Sequence, residues 1–389
     1  MDMEVEGVEP MELEDSEAVA RIRSHVADFM KSCLTEDLVP ESSKVVVLDC
    51  NLSLRTAFQT LQENAATAVP VWDPQRLTYV GVLSRADFIE LATHYLYKSS
   101  STTDMRMLLT HALEHQKVKA WLHLKAMWEK SGGRPAPGDV TPIGAGEGAL
   151  ASPEMMNRIE LTPTFVAAED SLYVACCLLQ ERRIQSVPIY SQREQMILYL
   201  LSHLSVLRFV HQHVAKHVRL GSSTSLAAGG SAGTIASMQG VGGESSSDGR
   251  ELFDLTVAQL RIGTFHDLAT VTYSEPIRRA FDLMMSRGIN AVPVIDEHGM
   301  VLDEYSRSDA CSLVQEIALI NLEMCISDAI RTFRQVPVQV CTCRRSETLR
   351  QIFERFEAAQ SYRLYFVSNT GSLEGVLSLS DLLGYFLSE

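Results

Sequence analysis

The stretch GVLSLSDLL, residues 375–383, runs from an apolar segment into a Ser-x-x-Asp step, and the same junction recurs along the chain. YVGVLS (79–84) leads to Asp87, MVLDEYS (300–306) to Asp309 and LEGVLS (373–378) to Asp381, with Ser84, Ser306 and Ser378 three residues before each carboxylate. A further copy, MILYLLS (196–202), keeps Ser202 but has Ser205 where the Asp would stand. Upstream of each junction lies a β-rich run: AVPVW (68–72), SVPIY (186–190), AVPVI (291–295) and RLYFV (363–367). Pro70, Pro188 and Pro293 are expected at the start or edge of these strands, where a residue without an N–H is tolerated.

Further upstream, four sets of residues follow the i, i+3, i+4, i+7 spacing of one helix face. They are Leu54, Ala57, Phe58 and Leu61; Leu172, Ala175, Cys176 and Leu179; Ile277, Ala280, Phe281 and Met284; and Leu349, Ile352, Phe353 and Phe356. Ser53, Ser171, Ser274 and Ser346 are the expected turn or capping residues ahead of them. The chain thus repeats one helix–strand–strand–helix unit of about 60 residues four times. Such a unit is too small to bury both faces of its sheet, so the units must pair, and two stacked pairs make a disc of mixed α+β/α/β class.

Composition limits what the disc can do. The 389 residues are 46% apolar, enough for a sizeable core, and the formal net charge is −15. That charge argues against a nucleic-acid groove or an anionic membrane surface, both of which reward clustered Lys and Arg. The longest apolar stretch, Met196 to Val210, carries Ser202, His203 and Arg208 and is shorter than the roughly 20 residues of a membrane helix. No span is expected. MDMEVEGVEPMELEDSE at the N-terminus resembles no secretory signal, which predicts a cytosolic or nuclear address and thiols for the eight cysteines.

Between the second and third units, residues 221–250 are Gly/Ser-rich and are expected to be a disordered linker. SGGRPAPGDVTPIGAGEG (131–148) separates the first two units after a helical stretch from about Met105 to Trp128. That helix is expected to be a packing element. Trp121 and Trp128 read as core or subunit contact. His211, His213 and His217 share a helix without the H-E-x-x-H carboxylate and read as packed or solvated. The glycines of GAGEG and GVGGE lack a phosphate-loop context. No H-R-D or D-F-G kinase signature is present, and no nucleophile–base constellation is readable.

Two roles fit the recurring Asp. As a first-turn residue it can complete a capping box with the Ser and complement the helix dipole. Alternatively, it faces a crevice between paired units, where a carboxylate accepts two hydrogen bonds from the vicinal hydroxyls of a ribose. Recurrence at one repeat position favours the second role.

These residues resemble cystathionine β-synthase (CBS) domains. The chain is also similar to the gamma regulatory subunits of AMP-activated protein kinase, the yeast sucrose-non-fermenting kinase family included. The stretches that carry the resemblance are DLVPESSKVVVLD (37–49), AVPVWDPQRLTYVGVLSRADFIEL (68–91), EHQKVKAWL (114–122), LRIGTFHDLA (260–269), AVPVIDEHGMVLDEYSRSD (291–309) and EGVLSLSDLL (374–383). It implies four β-α-β-β-α CBS repeats paired into two modules that form a disc. The expected divisions are an acidic tail (1–27), repeat one (28–97), a helix with linker (98–154), repeat two (155–216), a linker (217–251), repeat three (252–318) and repeat four (319–389). No resident cofactor is implied; the ligands would be AMP, ADP and ATP, competing for sites between repeats.

Carried over by position, the resemblance makes Asp87, Asp309 and Asp381 the ribose carboxylates, flanked by Ser84, Ser306, Ser378 and Ser380, with Arg307 beside the third-repeat Asp. Thr264, Ala269, Asn290 and Ala291 would line the site shared by repeats three and four, and Arg363 would meet phosphate. The implied partners are an alpha catalytic and a beta scaffold subunit in a heterotrimer, with no nucleic acid and no membrane. A stand-alone CBS adenylate-binding regulator of another enzyme or transporter, or a scaffold with mostly empty sites, are the alternatives. Thr67, Gln185, Ser186 and Tyr362 stand where the family carries basic residues, and Arg287 is displaced by one position, leaving Gly288. Each lost charge-assisted hydrogen bond is worth about 1.5–3 kcal/mol to a phosphate, so fewer or weaker sites are expected.

Overall fold

The computed structural model describes residues 13–98, 102–131, 160–161, 163–220, 253–315, 321–334 and 337–388. The expected linker at 221–250, nearly all of the Gly/Pro-rich piece and residues 1–12 lie outside them. The chain opens with α1 (Leu13–Ser32). Repeat one follows as β1 (Leu48–Asp49), α2 (Leu54–Glu63), β2 (Ala68–Asp73), β3 (Thr78–Ser84) and α3 (Arg85–Lys98). Helices α4 (Thr102–His115) and α5 (Val118–Lys130) lead to repeat two: β4 (Val166–Ala167), α6 (Leu172–Glu181), β5 (Ser186–Ser191), β6 (Met196–Ser202) and α7 (His203–Leu220). A short α8 (Val257–Leu260) precedes repeat three, made of α9 (Ile277–Arg287), β7 (Ala291–Ile295), β8 (Val301–Ser306) and α10 (Arg307–Ser312). Helix α11 (Ile326–Phe333) precedes repeat four, with β9 (Thr342–Cys343), α12 (Leu349–Ala359), β10 (Arg363–Val367), β11 (Leu373–Ser378) and α13 (Leu379–Leu387).

The apolar periodicity of each first helix is met in full. Leu54, Ala57, Phe58 and Leu61 are buried, as are their counterparts in α6, α9 and α12. A buried Leu or Phe contributes about 1.5–3 kcal/mol, so each four-residue face anchors its repeat. Ser53 and Ser171 cap α2 and α6, accepting from Thr56 N and Val174 N. Ser274 and Ser346 do not cap. Pro276 precedes α9, and Thr348 forms a capping box with Gln351 on α12. Thr348 wins because Gln351 lies three residues on and can return a bond to its N–H.

In repeats one, two and four the first strand pairs parallel, and the third antiparallel, with the central one. Repeat three keeps only the β7–β8 hairpin and an isolated parallel bridge, Val271 to Val294. Pro70 and Pro188 therefore sit in central strands rather than at an edge. They are tolerated because the two-residue β1 and β4 pair only from Val71 and Ile189 onward, past each proline.

Two expectations about helices are corrected. Residues 105–128 form two helices, because Lys117 leaves the helical path to bridge Ser53, while Gln116 O and Cys50 O bond to Leu54 N and Lys119 N. The segment expected as an acidic tail becomes α1 from residue 13, since Val26 and Met30, one turn apart, enter the core.

The buried side chains form two clusters. One joins repeats one and three with α4 and α5; the other joins repeats two and four with α1. Helices meet across each cluster: Gln62 of α2 donates to Ser308 O and Ser312 Oγ, and Gln180 of α6 donates to Ser380 O. Hairpins make the other two contacts. Tyr79 packs edge-on against Tyr190 between repeats one and two, and Leu373 N donates to Gly299 O between repeats three and four. Four repeats touching in the cycle one, two, four, three close into a disc.

The lead-in segments are exchanged within each pair. The segment before repeat one bridges repeat two (Leu34 to Ser171), and the segment before repeat two bridges repeat one (Lys117 to Ser53). Likewise, Thr256 ahead of repeat three bridges Thr348 of repeat four, and Cys325 ahead of repeat four bridges Pro276 of repeat three. Side chains on α5 and at the end of α11 are thereby delivered to the neighbouring repeat.

Candidate functional site

Each Ser-x-x-Asp step lies where the last strand of a repeat turns into its second helix. At Asp87, Asp309 and Asp381 one carboxylate oxygen, Oδ2, accepts from the backbone N and the Oγ of the Ser three residues earlier, at 2.6–2.8 Å. In repeat two Ser205 Oγ stands 2.8 Å from Ser202 N, a neutral version of the same corner. The carboxylate half of the capping box is thus met three times, the return bond from the Asp N to the Ser Oγ is made at Asp309 and Asp381, and the second oxygen separates the sites.

Asp87 is wholly buried, and its Oδ1 accepts from Trp121 Nε1 at 2.8 Å and from Lys125 Nζ at 2.5 Å, both on α5. Burial alone pushes this carboxyl up. The Lys125 charge and hydrogen bond, joined by Ser84 and Trp121, outweigh it and hold the group below the usual carboxylate range. Asp309 Oδ1 accepts from Arg334 Nε at 2.7 Å, and the same guanidinium reaches both oxygens of Asp303 and the carbonyl of Glu304. Burial pulls the Arg334 pKa down, and Asp309 and Asp303 raise it above its ordinary value. Asp381 differs: half-buried at the start of α13, its Oδ1 has no partner among the described residues, and no cation there lies within ion-pair distance.

The residue after each strand-end Ser is Arg85, His203, Arg307 or Leu379. The backbone N of Arg85, Arg307 and Leu379 donates to the residue before the central strand, namely Thr67, Asn290 and Tyr362, which gives the three corners one geometry. Arg85 Nη1 donates to Ser308 Oγ at 2.9 Å, while its Nε is buried without a partner. Arg307 Nε is also buried and unpartnered, and no carboxylate among the described residues lies within ion-pair distance of this guanidinium. Burial lowers its pKa, the more distant Glu90 and Asp87 charges offset part of that, and Arg363 adds repulsion. Arg363 itself is engaged: Nη1 donates to Glu304 Oε2 at 3.1 Å, where Tyr365 OH also donates at 2.8 Å. Buried His203 leaves Nε2 unpartnered. Arg307 is half-buried, and enclosing its Nε without a partner is costly, so an anion is the natural complement of this guanidinium.

The remaining expected site residues line the repeat three/four contact in part. Thr264 is exposed and bridges Val376, with N–O distances of 2.8 and 2.9 Å. The chain can come this close because residue 375 is glycine: a Cβ there would stand 2.5 Å from the Phe265 ring and 2.8 Å from Thr264 O. Ala269 packs against the repeat one/three cluster, Asn290 gives its carbonyl to Arg307 N, and Ala291 pairs with Ser306 across the hairpin. Ser380 lies at the opposite, helix-lined contact, where its Oγ donates to Gln180 Oε1. Arg287 forms an exposed ion pair with Asp267.

Sequence reading missed Lys125, Arg334 and Glu304 as neighbours of these corners, and Trp121 as a donor. Lys125, Trp121 and Arg334 lie outside the repeated pattern and gave no positional signal. Arg85 did give one, since it occupies the place of Arg307 in its own repeat. Trp121 and Trp128 are core residues in edge contact, 5.7 Å between centroids. His211 stacks on Phe353 and His213 bonds to Phe209 O, while the His217 side chain lies outside the described residues. Among the described residues no group of three His, Cys, Asp or Glu could hold a metal ion, and no helix is long and apolar enough to cross a membrane.

The CBS domain family matches residues 36–94, 262–316 and 326–388. The chain is 28% identical over 91% of its length to the bovine 5'-AMP-activated protein kinase subunit gamma-3, and 25% identical over 98% of its length to the Dictyostelium discoideum 5'-AMP-activated protein kinase subunit gamma. It spans 58% and 56% of those two relatives. Among solved structures, a Methanocaldococcus jannaschii protein described as an archaeal homolog of g-AMPK superposes with a TM-score of 0.55 at 13% identity, covering 91% of this chain and 99% of that one, which shows a shared fold. Repeats one, three and four fall within the segments that match the CBS domain family, and over the whole disc the chain is similar to 5'-AMP-activated protein kinase gamma subunits.

Proposed function

We propose that the chain is a non-catalytic regulatory subunit of an AMP-activated-type protein kinase, acting in the cytosol or nucleus with an alpha catalytic and a beta scaffold subunit. AMP, ADP and ATP compete for it, the ribose held by a corner Asp and the phosphate by Arg307. The carrying observation is the Arg307 guanidinium, half-buried at a strand-to-helix corner, its Nε enclosed without a partner and no carboxylate among the described residues within ion-pair distance. A phosphate supplies that charge. The nucleotide regulates by its different affinity for two conformations of the complex, and linkage makes the effect reciprocal. A scaffold with mostly empty sites is the second reading, favoured by the cations that already hold Asp87 and Asp309.

Calorimetric titration of the purified chain with AMP and ATP tests the reading. Saturable binding is expected, and Arg307→Met should weaken AMP roughly 10- to 150-fold, the equivalent of one hydrogen bond to a charged group. Absence of binding at millimolar AMP refutes nucleotide sensing and leaves the scaffold. Recovery of the chain from its cells free of any kinase refutes the heterotrimer.

A further inference from the structure

We propose that Lys125 and Arg334 are latches that exclude ribose from Asp87 and Asp309, so that the chain offers a single competent nucleotide carboxylate, Asp381. The inference rests on the nucleotide reading above and concerns which of its corners can operate.

A ribose diol brings two neutral donors to a carboxylate. At Asp87 it would have to displace an ammonium at 2.5 Å and an indole N–H at 2.8 Å, in a site where the carboxylate is fully shielded from water. Neutral hydroxyls make weaker bonds than the cation they would replace, and the displaced Lys125 would give up its nearer counter-charge and keep only Glu90 Oε2, at 4.0 Å. At Asp309 the obstacle is stiffer. Arg334 grips Asp309, both oxygens of Asp303 and the Glu304 carbonyl through three of its nitrogens, and it is itself buried. Moving it breaks the whole fork at once.

Both latches arrive by the exchange of lead-in segments. Helix α5, ahead of repeat two, carries Trp121 and Lys125 to repeat one; α11, ahead of repeat four, ends at Arg334 beside repeat three. The segment exchanged onto repeat four is shorter. The four-residue α8 stops at Leu260, Arg261 turns the chain with a positive φ, and Thr264 docks on Val376. Among the described residues no side chain of this segment bonds to Asp381, and its Oδ1 is left open for a donor from a ligand.

Native mass spectrometry of the intact chain with AMP counts the sites. The wild type should bind one AMP, and Asp381→Ala should lower that affinity roughly 10- to 150-fold. Removing a latch should open a corner: Arg334→Met or Lys125→Met should raise the count to two, with a far-ultraviolet spectrum like that of the wild type as the check on folding. Two or three equivalent AMP molecules on the wild type overturn the latches and leave nucleotide binding standing. An unchanged count of one in both folded latch variants also overturns them. No AMP on any variant overturns the nucleotide reading, and the latches with it.

Discussion

Replacing Asp87 with Asn tests the most enclosed charge in the fold, and its cost can be worked from four distances. Oδ2 accepts from Ser84 N and Oγ at 2.6 and 2.7 Å; Oδ1 accepts from Trp121 Nε1 and Lys125 Nζ at 2.8 and 2.5 Å. All four groups can donate, and an amide has only one acceptor oxygen. Whichever way Asn is turned, its NH2 faces donors. Losing two bonds to a charged acceptor costs about 3–6 kcal/mol at about 1.5–3 each. Stranding one partner of a buried ion pair costs about 3–5 kcal/mol by an independent route. The three tryptophans, Trp72, Trp121 and Trp128, all belong to repeat one and the helices packed on it, so intrinsic fluorescence follows this half of the disc during urea unfolding. At a slope of about 3 kcal/mol per M, the midpoint should fall by about 1–1.7 M. Lys125→Met should cost a similar amount, and the double variant should cost clearly less than the sum, because neither leaves the other's charge stranded. A loss below about 1 kcal/mol for Asp87→Asn would show that the carboxylate is hydrated in solution and that α5 does not hold it.

Acid should act on the same half. Burial raises the Asp73 and Asp87 carboxyls, but Lys119 with the Gln75 and Arg76 amides, and Lys125 with Ser84 and Trp121, hold both below their ordinary value. Groups depressed in the folded state stabilise fully above the unfolded pKa of about 3.9 and lose that contribution as pH falls through the folded values. Tryptophan-detected stability should therefore be level from pH 7 to about 5 and decline below about 4; a decline centred near pH 6 would contradict the assignment. Gly375→Ala would force Phe265 away from the new methyl, yet that ring is confined between Phe366, at 5.0 Å between centroids, and the Arg345 guanidinium at 3.9 Å. A loss of about 1–3 kcal/mol is expected, together with faster amide hydrogen exchange at Thr264 and Val376; protection equal to the wild type would show that the strand contact tolerates a side chain.

The four-fold plan was legible because each repeat writes it twice, once in a 3.6-residue apolar face and once in paired β runs that end in Ser. The same redundancy located Asp87, Asp309, Asp381 and the deviant Ser205. What escaped lies between repeats. Lys117 pairs with Ser53, and Leu34 with Ser171, through backbone atoms that carry no residue preference. Arg334 reads as an ordinary charge at a helix end until the fold brings Asp303 and Asp309 to it. The expectation of a single helix over 105–128 failed for the same reason, since Val118, Trp121 and Leu122 continue the apolar spacing while the backbone at Lys117 answers to Ser53. Periodicity within a segment reports the face that is buried, and it is silent on the neighbour that buries it.

The crossed lead-ins change what counts as a building block. A solitary first repeat would leave the Cys50 and Leu52 carbonyls without the Lys119 and Val118 amides they accept from, and its buried Asp87 would face neither indole nor ammonium. Excising or transplanting one repeat therefore damages two. Duplication, loss or design on this scaffold has to proceed in couples, each of which is the shortest stretch of chain that keeps both halves of a lead-in exchange.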